Sequence, residues 1–262
     1  MSISADGSTI ALGTEGSSDD EVLLLFSKDS EDPLWSYSPD NKVNYLRIPS
    51  VQISSDGQSI VAGISTNNRD TNGIYLFSIN SNIPKWNFNT GESRVSSVSI
   101  SDDGEYIAVG THDDDVALFD KDSNEPLWIH ESVQWTVKHI EISADGQYIA
   151  ASTGSRLYLF DKDDEDDPLW YYNTGDVTAL ALSSDGEYIA AATSESGTHR
   201  LRIFDNDGDH LWSYGEDDNL KIFGLSMSAD GQKIVAGGSI VDDSDYGRIY
   251  YFDINSSTPL WT

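Results

Sequence analysis

Arginine is the residue type whose placement most suggests ligand chemistry in this chain of 262 residues. A guanidinium group grips a carboxylate or a phosphate with two parallel donors. Most of the arginines stand in or beside segments rich in turn residues: Arg69, Arg94, Arg156, Arg200 and Arg248. Two interpretations remain open, because in so acidic a chain these side chains can instead pair with nearby carboxylates, as Arg248 could with Asp245.

Two aromatic residues share this placement. Trp135 is the tryptophan that departs from the regular spacing of the others, and Tyr246 lies in a long polar segment. Aromatic anchors are typical of the centres of protein interfaces, although local packing would explain Trp135 equally well. The sequence therefore predicts a partner or ligand face, which contains Arg69, Arg94, Trp135, Arg200, Tyr246 and Arg248.

One acidic segment resembles a metal-binding loop. Asp205, Asp207 and Asp209 alternate along the chain and could offer oxygen ligands to Ca²⁺. Against this interpretation, the glycine stands at the fourth position, not the sixth. A plain polar turn is the alternative, and apart from this calcium possibility we expect no cofactor.

Catalytic chemistry has little support. The chain has no cysteine, its five histidines follow no shared spacing, and neither H-E-x-x-H nor G-x-S-x-G occurs. We therefore expect a protein that is not an enzyme, although a catalytic set assembled from distant segments remains an alternative.

The net charge of −30 narrows the range of partners. A nucleic acid or an anionic membrane would be repelled, and no stretch of apolar residues is long enough for membrane insertion. The acidic residues suit either a salt-rich environment, where their repulsion is screened, or a surface that recruits cations or a basic partner. The charge favours an exported, cell-surface or salt-rich location.

An internal repeat must position these residues. The tetrapeptide S-x-D-G occurs six times at intervals of 40 to 50 residues, and a tryptophan follows each copy about 30 residues later. The glycines of this motif are Gly7, Gly57, Gly104, Gly146, Gly186 and Gly231. The units span approximately residues 1–42, 43–93, 94–132, 133–175, 176–218 and 219–262, in a single domain over residues 1–262 or in part of a longer chain.

Each unit contains four short segments that alternate between polar and apolar residues, with turn residues between them. The second segment carries small residues, such as Ala108 and Gly110, which allow close approach of a neighbouring sheet. The repeated tryptophans would fill the wider gap farther out. This pattern predicts an all-β fold, a six-bladed β-propeller of four-stranded antiparallel blades.

The repeat resembles the repeats of two propeller families. The S-x-D-G turn followed by Y-I-A-x-G and V-x-L-F-D resembles WD40-type repeats. The ending P-L-W-x-Y-x-T-G at residues 168–175 resembles the quinoprotein (PQQ)-type repeat. The resemblance covers nearly the whole chain and implies that loops joining strands two to three and four to one form the usual ligand-binding face. Quinoprotein dehydrogenases carry eight blades and often a vicinal cysteine pair. Bound quinone is not expected here, because this chain has six units and no cysteine.

The first unit lacks most of its inner strand, since only Met1 to Ser4 precede the first Asp-Gly turn. A six-bladed ring could close with one short strand, the sequence could belong to a longer chain with further blades, or another copy or a partner could supply the strand. An exposed strand edge is a ready template for self-association.

The leading functional hypothesis is a non-enzymatic scaffold that binds a protein or peptide through its loops, as a domain of an exported or surface protein. A small-ligand binder or an enzyme of the quinoprotein or lyase kind at the central channel is the first alternative. A calcium-dependent structural module is the second.

Overall fold

The computed structural model describes residues 1–16, 20–39, 46–66, 72–131, 133–164, 167–195, 197–215, 220–240 and 247–262. Within these ranges, the regular elements are 24 β-strands arranged in six antiparallel sheets, which we number in chain order. The described residues contain no helix long and apolar enough to cross a membrane. The chain forms two compact units, unit 1 (Met1–Ile140) and unit 2 (Glu141–Thr262).

Unit 1 contains the first three sheets. Sheet 1 consists of β1 (Ser2–Ile3), β2 (Thr9–Gly13), β4 (Leu23–Ser27) and β5 (Pro33–Tyr37). Sheet 2 consists of β3 (Glu15–Gly16), β6 (Leu46–Ile53), β7 (Ser59–Thr66), β8 (Gly73–Ser78) and β9 (Pro84–Asn89). Sheet 3 consists of β10 (Val95–Ile100), β11 (Tyr106–Thr111), β12 (Val116–Asp120) and β13 (Pro126–His130).

Unit 2 contains the last three sheets, and the boundary between the units falls within β14. Sheet 4 consists of β14 (His139–Ile142), β15 (Tyr148–Ser152), β16 (Arg156–Asp161) and β17 (Trp170–Asn173). Sheet 5 consists of β18 (Asp176–Leu182), β19 (Tyr188–Glu195), β20 (Thr198–Asp205) and β21 (His210–Tyr214). Sheet 6 consists of β22 (Leu220–Met227), β23 (Lys233–Ile240) and β24 (Gly247–Asp253).

The expected four strands occur in four of the six sheets. Sheet 2 has five, because the two-residue strand β3 pairs with the start of β6, Glu15 opposite Arg47. Sheet 6 has three, and its outermost pairing is a single bridge between Tyr251 and Trp261. The inner strand of sheet 1 is short, as predicted, with only two residues.

The S-x-D-G motif is a self-contained turn. In sheet 3, the Ser101 hydroxyl donates to the Asp103 carboxylate (2.7 Å) and accepts the backbone N–H of Tyr106 (3.0 Å). Gly104 adopts a φ of +72°, a conformation that glycine accepts without steric cost. The same positive φ recurs at the motif glycine of every unit, so the predicted tight turns are confirmed.

Small residues let neighbouring sheets approach each other in unit 1. A Cβ atom added to Gly13 would lie 2.5 Å from Ile48, and one added to Gly63 would lie 2.5 Å from Val95. Farther out, the repeated tryptophan spans the gap: the Nε1–H of Trp35 donates to the carbonyl of Ile79 in the next sheet (2.8 Å). The predicted structural role of the small residues and tryptophans is therefore confirmed here.

Sheet 6 leaves one apolar face uncovered. Ile249 is 55% exposed, whereas Leu201 at the same repeat position in sheet 5 is fully buried. Val235 and Trp261 on this sheet are also largely exposed, and a Cβ atom added to Gly237 would meet no atom within 4 Å. The apolar pattern that packs sheet against sheet elsewhere thus continues onto an open surface.

Candidate functional site

Two adjoining surface depressions in unit 1 form a basic site at the loop ends of sheets 2 and 3 and the start of β14. Their volumes are about 80 and 410 Å³, and they share three lining residues. The shared residues are Arg47, Pro49 and His112. The remaining walls come from Ser65, Arg94 and Val95 in one depression and from Ser96, Thr136, Val137, Lys138 and His139 in the other.

The repeat places the two arginines at equivalent positions. Arg47 and Arg94 each stand seven residues before the serine of an S-x-D-G turn. The next residue in each case, Ile48 or Val95, is buried against a glycine of the preceding sheet. Because side chains alternate along a strand, burial of that residue turns each arginine outward, and both arginines are exposed.

Trp135 lies beside the basic site on the connection between β13 and β14. Its side chain is 66% exposed and its φ is +76°, which is rare for a bulky residue. The backbone is held on both sides: the N–H of Val133 donates to the Asp114 carbonyl (2.9 Å), and that of Val137 donates to the Thr111 carbonyl (3.0 Å). An exposed ring held in a strained conformation suggests a role in binding.

The charge of this site opposes that of the chain. Three permanent cations line it, and no carboxylate lines it among the described residues, although the whole chain carries a net charge of −30. No ion pair or side-chain hydrogen bond involves Arg47 or Arg94 within the described part of the chain. A guanidinium group can donate paired hydrogen bonds to a carboxylate.

The other residues predicted for a partner face are placed elsewhere. Arg200 and Arg248 lie in unit 2, and with Arg156 they occupy one repeat position, four residues before a buried phenylalanine. Arg156 lies over the ring of Tyr171, 4.3 Å from its centre. Arg69 and Tyr246, as well as Asp245, lie outside the described residues. Of the predicted set, the structure brings only Arg94 and Trp135 to the basic site.

The acidic segment at the end of β20 forms a turn. The carboxylate of Asp205 accepts the backbone N–H of Asp209 (2.8 Å), and Gly208 has a φ of +88°. Within the described ranges, no group of three or more histidine, aspartate or glutamate side chains is arranged to hold a metal ion. Asp205, Asp207 and Asp209 are thus not brought together as ligands.

Sequence reasoning missed Arg47, His112, Lys138 and His139. A signal for Arg47 was available, because alignment of the units on their S-x-D-G turns puts it in register with Arg94. His112 and Lys138 belong to the third and the fourth repeat, and only the packing of the sheets reveals that they share one wall.

Glu141, on the inner strand β14, was also missed. Desolvation raises the pKa of this carboxyl to about 7, although the residue keeps some accessible surface. The corresponding residues of sheets 1 and 2 are Ser2 and Gln52, which accept backbone N–H groups of the next sheet (3.0 and 2.6 Å). A carboxyl with a pKa near neutrality at a position of this kind is a candidate for proton transfer, but it lines none of the depressions described above.

Comparison with known proteins identifies the repeat. A PQQ-repeat family model described as outer membrane protein assembly factor BamB matches residues 19–262. The chain belongs to this family of PQQ-repeat β-propellers. No curated protein matches the chain. The family membership confirms the PQQ-type resemblance, and the antiparallel sheets fit a β-propeller.

Proposed function

We propose that this PQQ-repeat propeller is a non-enzymatic scaffold whose basic site binds an acidic segment of a partner protein. We further propose that each of its six sheets is a propeller blade. The observation that carries the functional proposal is the set of three cations, Arg47, Arg94 and Lys138, around adjoining depressions without a carboxylate. The name of the matching family describes an assembly factor, which by its nature acts on other proteins.

The chemistry of the site favours a peptide over a metabolite. Two arginines can each hold a carboxylate with paired hydrogen bonds, while Trp135 offers an exposed ring to an apolar residue between acidic ones. Two adjoining depressions suit side chains spaced along an extended segment. The acidic remainder of the surface would repel an acidic partner elsewhere and so direct it to this site.

The test compares two charge-matched double variants of the full chain. Arg47→Ser with Arg94→Ser removes two cations from the site, and Lys28→Ser with Lys85→Ser removes two exposed cations outside it. Binding is measured by fluorescence anisotropy with a labelled peptide that contains aspartate and glutamate around one tryptophan. We expect the arginine variant to lose about ten-fold or more in affinity, and the lysine variant less than about two-fold.

The salt dependence of the affinity provides a second test. Affinity for the acidic peptide should fall as salt rises, and the slope should be smaller in the arginine variant because fewer charges are paired. Equal affinities of the two double variants, or equal binding of a lysine-rich peptide, would overturn the proposal.

We also propose that the open face of sheet 6 associates with sheet 1 of a second copy. The exposed residues of sheet 6, Val235, Ile249 and Trp261, are of the types that pack between sheets elsewhere, and Ile3 of sheet 1 is 58% exposed. Because each copy carries a charge of −30, the association should require salt.

Sedimentation of the full chain over a range of concentration and salt tests this association. We expect dimers or larger species at high salt and their loss in the Ile249→Lys variant. Lys85→Ser, a surface change outside the face, serves as the control. A chain that stays monomeric at high salt and high concentration contradicts the association, without bearing on the basic site.

A further inference from the structure

A cavity of about 180 Å³ lies between sheets 2 and 3 of unit 1. Its apolar wall includes Ile74, Phe88, Val109, Ala117 and Phe119. The cause of the cavity is visible in the repeat. The residue two positions before the buried phenylalanine of the third strand is tyrosine in sheets 2, 4 and 6 and arginine in sheet 5, whereas in sheet 3 it is Ala117. The interface is built for a ring that the chain does not supply there.

The missing ring leaves space for one from outside. Engineered apolar cavities of about 150 Å³ stay dry and bind benzene, so a cavity of this size suits a single aromatic ring. Ile129, which is 42% exposed, also lines the cavity and shows that it reaches the surface. A ligand could therefore enter without unfolding of the sheets.

One ionisable group lines the cavity. Asp115 stands at its polar end, and the hydroxyls nearby are engaged: that of Thr90 donates to the Ser93 carbonyl (2.7 Å), and that of Ser93 accepts the Asp113 N–H (3.3 Å). No lysine, arginine or histidine lines the cavity among the described residues. The only formal charge that faces a ligand is thus negative.

The surroundings strengthen this negative potential. Burial, together with the carboxylates of Glu131, Asp113 and Asp114, raises the pKa of Asp115 above its ordinary value, and a hydrogen bond from Thr111 opposes this rise. A cation placed against Asp115 would be attracted by the whole group of carboxylates. An anion would be repelled by it, and a neutral alcohol would gain little.

We propose that the cavity between sheets 2 and 3 binds an arylalkyl amine, with the aromatic ring against Ala117 and the ammonium group at Asp115. The ring occupies the volume that tyrosine fills in sheets 2, 4 and 6. The ammonium group forms a charge-assisted hydrogen bond with the carboxylate. The same chemistry is present in a free arylalkyl amine and in the amino-terminal phenylalanine of a peptide.

Calorimetric titration of the full chain with three matched probes tests the proposal: 2-phenylethylamine, 2-phenylethanol and 3-phenylpropanoate. We expect the amine to bind about ten-fold more tightly than the alcohol, and the carboxylate not to bind. Ala117→Tyr should abolish binding of the amine and raise the unfolding midpoint, because it restores the ring of the sister sheets. If this variant does not fold, Ala117→Leu reduces the same volume with a smaller side chain.

A second pair of variants separates charge from shape. Asp115→Asn keeps the cavity and should lower the affinity for the amine about five-fold or more, towards that of the alcohol. Asp122→Asn, at an exposed turn outside the cavity, should leave it unchanged. A peptide with amino-terminal phenylalanine, compared with its acetylated form, distinguishes a peptide end from a free amine as the source.

Binding of the amine alone assigns the site to free amines, and binding of the unacetylated peptide as well extends it to peptide ends. Equal affinity for amine and alcohol would overturn the proposal, as would undiminished binding of the amine in Ala117→Tyr or in Ala117→Leu.

Discussion

Two interfaces in unit 1 are built from the same repeat and differ in what they enclose. Between sheets 1 and 2, the ring centres of Trp35 and Phe77 lie 5.8 Å apart, and between sheets 2 and 3 those of Trp86 and Phe119 also lie 5.8 Å apart. Each tryptophan Nε1–H donates to a carbonyl of the next sheet. The outer layer of the two interfaces is therefore almost identical.

The difference lies one layer inward. In sheet 2, Tyr75 packs against Tyr37, with ring centres 5.9 Å apart, whereas Ala117 in sheet 3 leaves a cavity. The tryptophan layer and the inner strands therefore hold neighbouring sheets together even where the intermediate ring is absent. The residue at the position of Tyr75 and Ala117 can therefore differ between repeats, and a small residue there can produce a binding site.

The largest effect on stability is expected when the first interface is given the cavity of the second. Tyr75→Ala removes a ring that is 8% exposed. We expect a loss of about 3 to 5 kcal/mol in the free energy of unfolding, measured with urea, because burial is lost and the site cannot collapse fully. Leu34→Ala, at a position 56% exposed, is the control and should change it little. A loss below about 1 kcal/mol would show that the intermediate ring is dispensable.

The shared tryptophan layer can be weakened in both interfaces at once. Trp35→Phe and Trp86→Phe each remove an indole N–H and leave a carbonyl, that of Ile79 or Lys121, without its donor. We expect each to cost about 1 to 3 kcal/mol in unfolding free energy, and the two costs to agree closely. A clearly larger cost for Trp86→Phe would mean that the interface with the cavity depends more heavily on its outer layer.

The features that recur in every repeat could be predicted from the sequence, whereas those found in one place could not. The S-x-D-G turns and the tryptophan layer follow from local chemistry, because every copy performs the same task. The site around Arg47 and Lys138 depends on the packing of segments from different repeats, which no local pattern encodes. The cavity is an intermediate case: Ala117 departs visibly from its aligned tyrosines, but only the structure shows that nothing else fills the space.

Substitutions in the S-x-D-G turns of sheets 2 and 3 should have a smaller effect on the free energy of unfolding. Ser54→Ala and Ser101→Ala remove the hydroxyl that bonds to Asp56 or Asp103 and accepts a backbone N–H. We expect each variant to lose about 1 kcal/mol in unfolding free energy by urea denaturation, because the buried N–H loses its partner. Each serine serves as the control for the other, and a difference above about 1 kcal/mol would show that the cavity beside sheet 3 affects its turn.

The smallest expected effect on stability concerns the charge at the cavity. Asp115 lines the cavity, whereas the corresponding residue of sheet 2 is Gly73, which has no ionisable group. Because the folded protein raises the pKa of Asp115, it binds this proton more tightly than the unfolded chain does. The stability associated with this group is therefore complete below the unfolded pKa of about 3.9 and declines as the pH rises through the folded pKa.

Asp115→Asn should remove this decline. We expect the variant to be more stable than the parent at about pH 7, by less than about 1 kcal/mol because the partly exposed carboxylate is screened by solvent, and equal to it at about pH 3. Urea denaturation at both pH values measures the difference, with Asp122→Asn as the exposed control. A gain of the same size at both pH values would assign the effect to shape, and the contrast between the two interfaces would then rest on Ala117 alone.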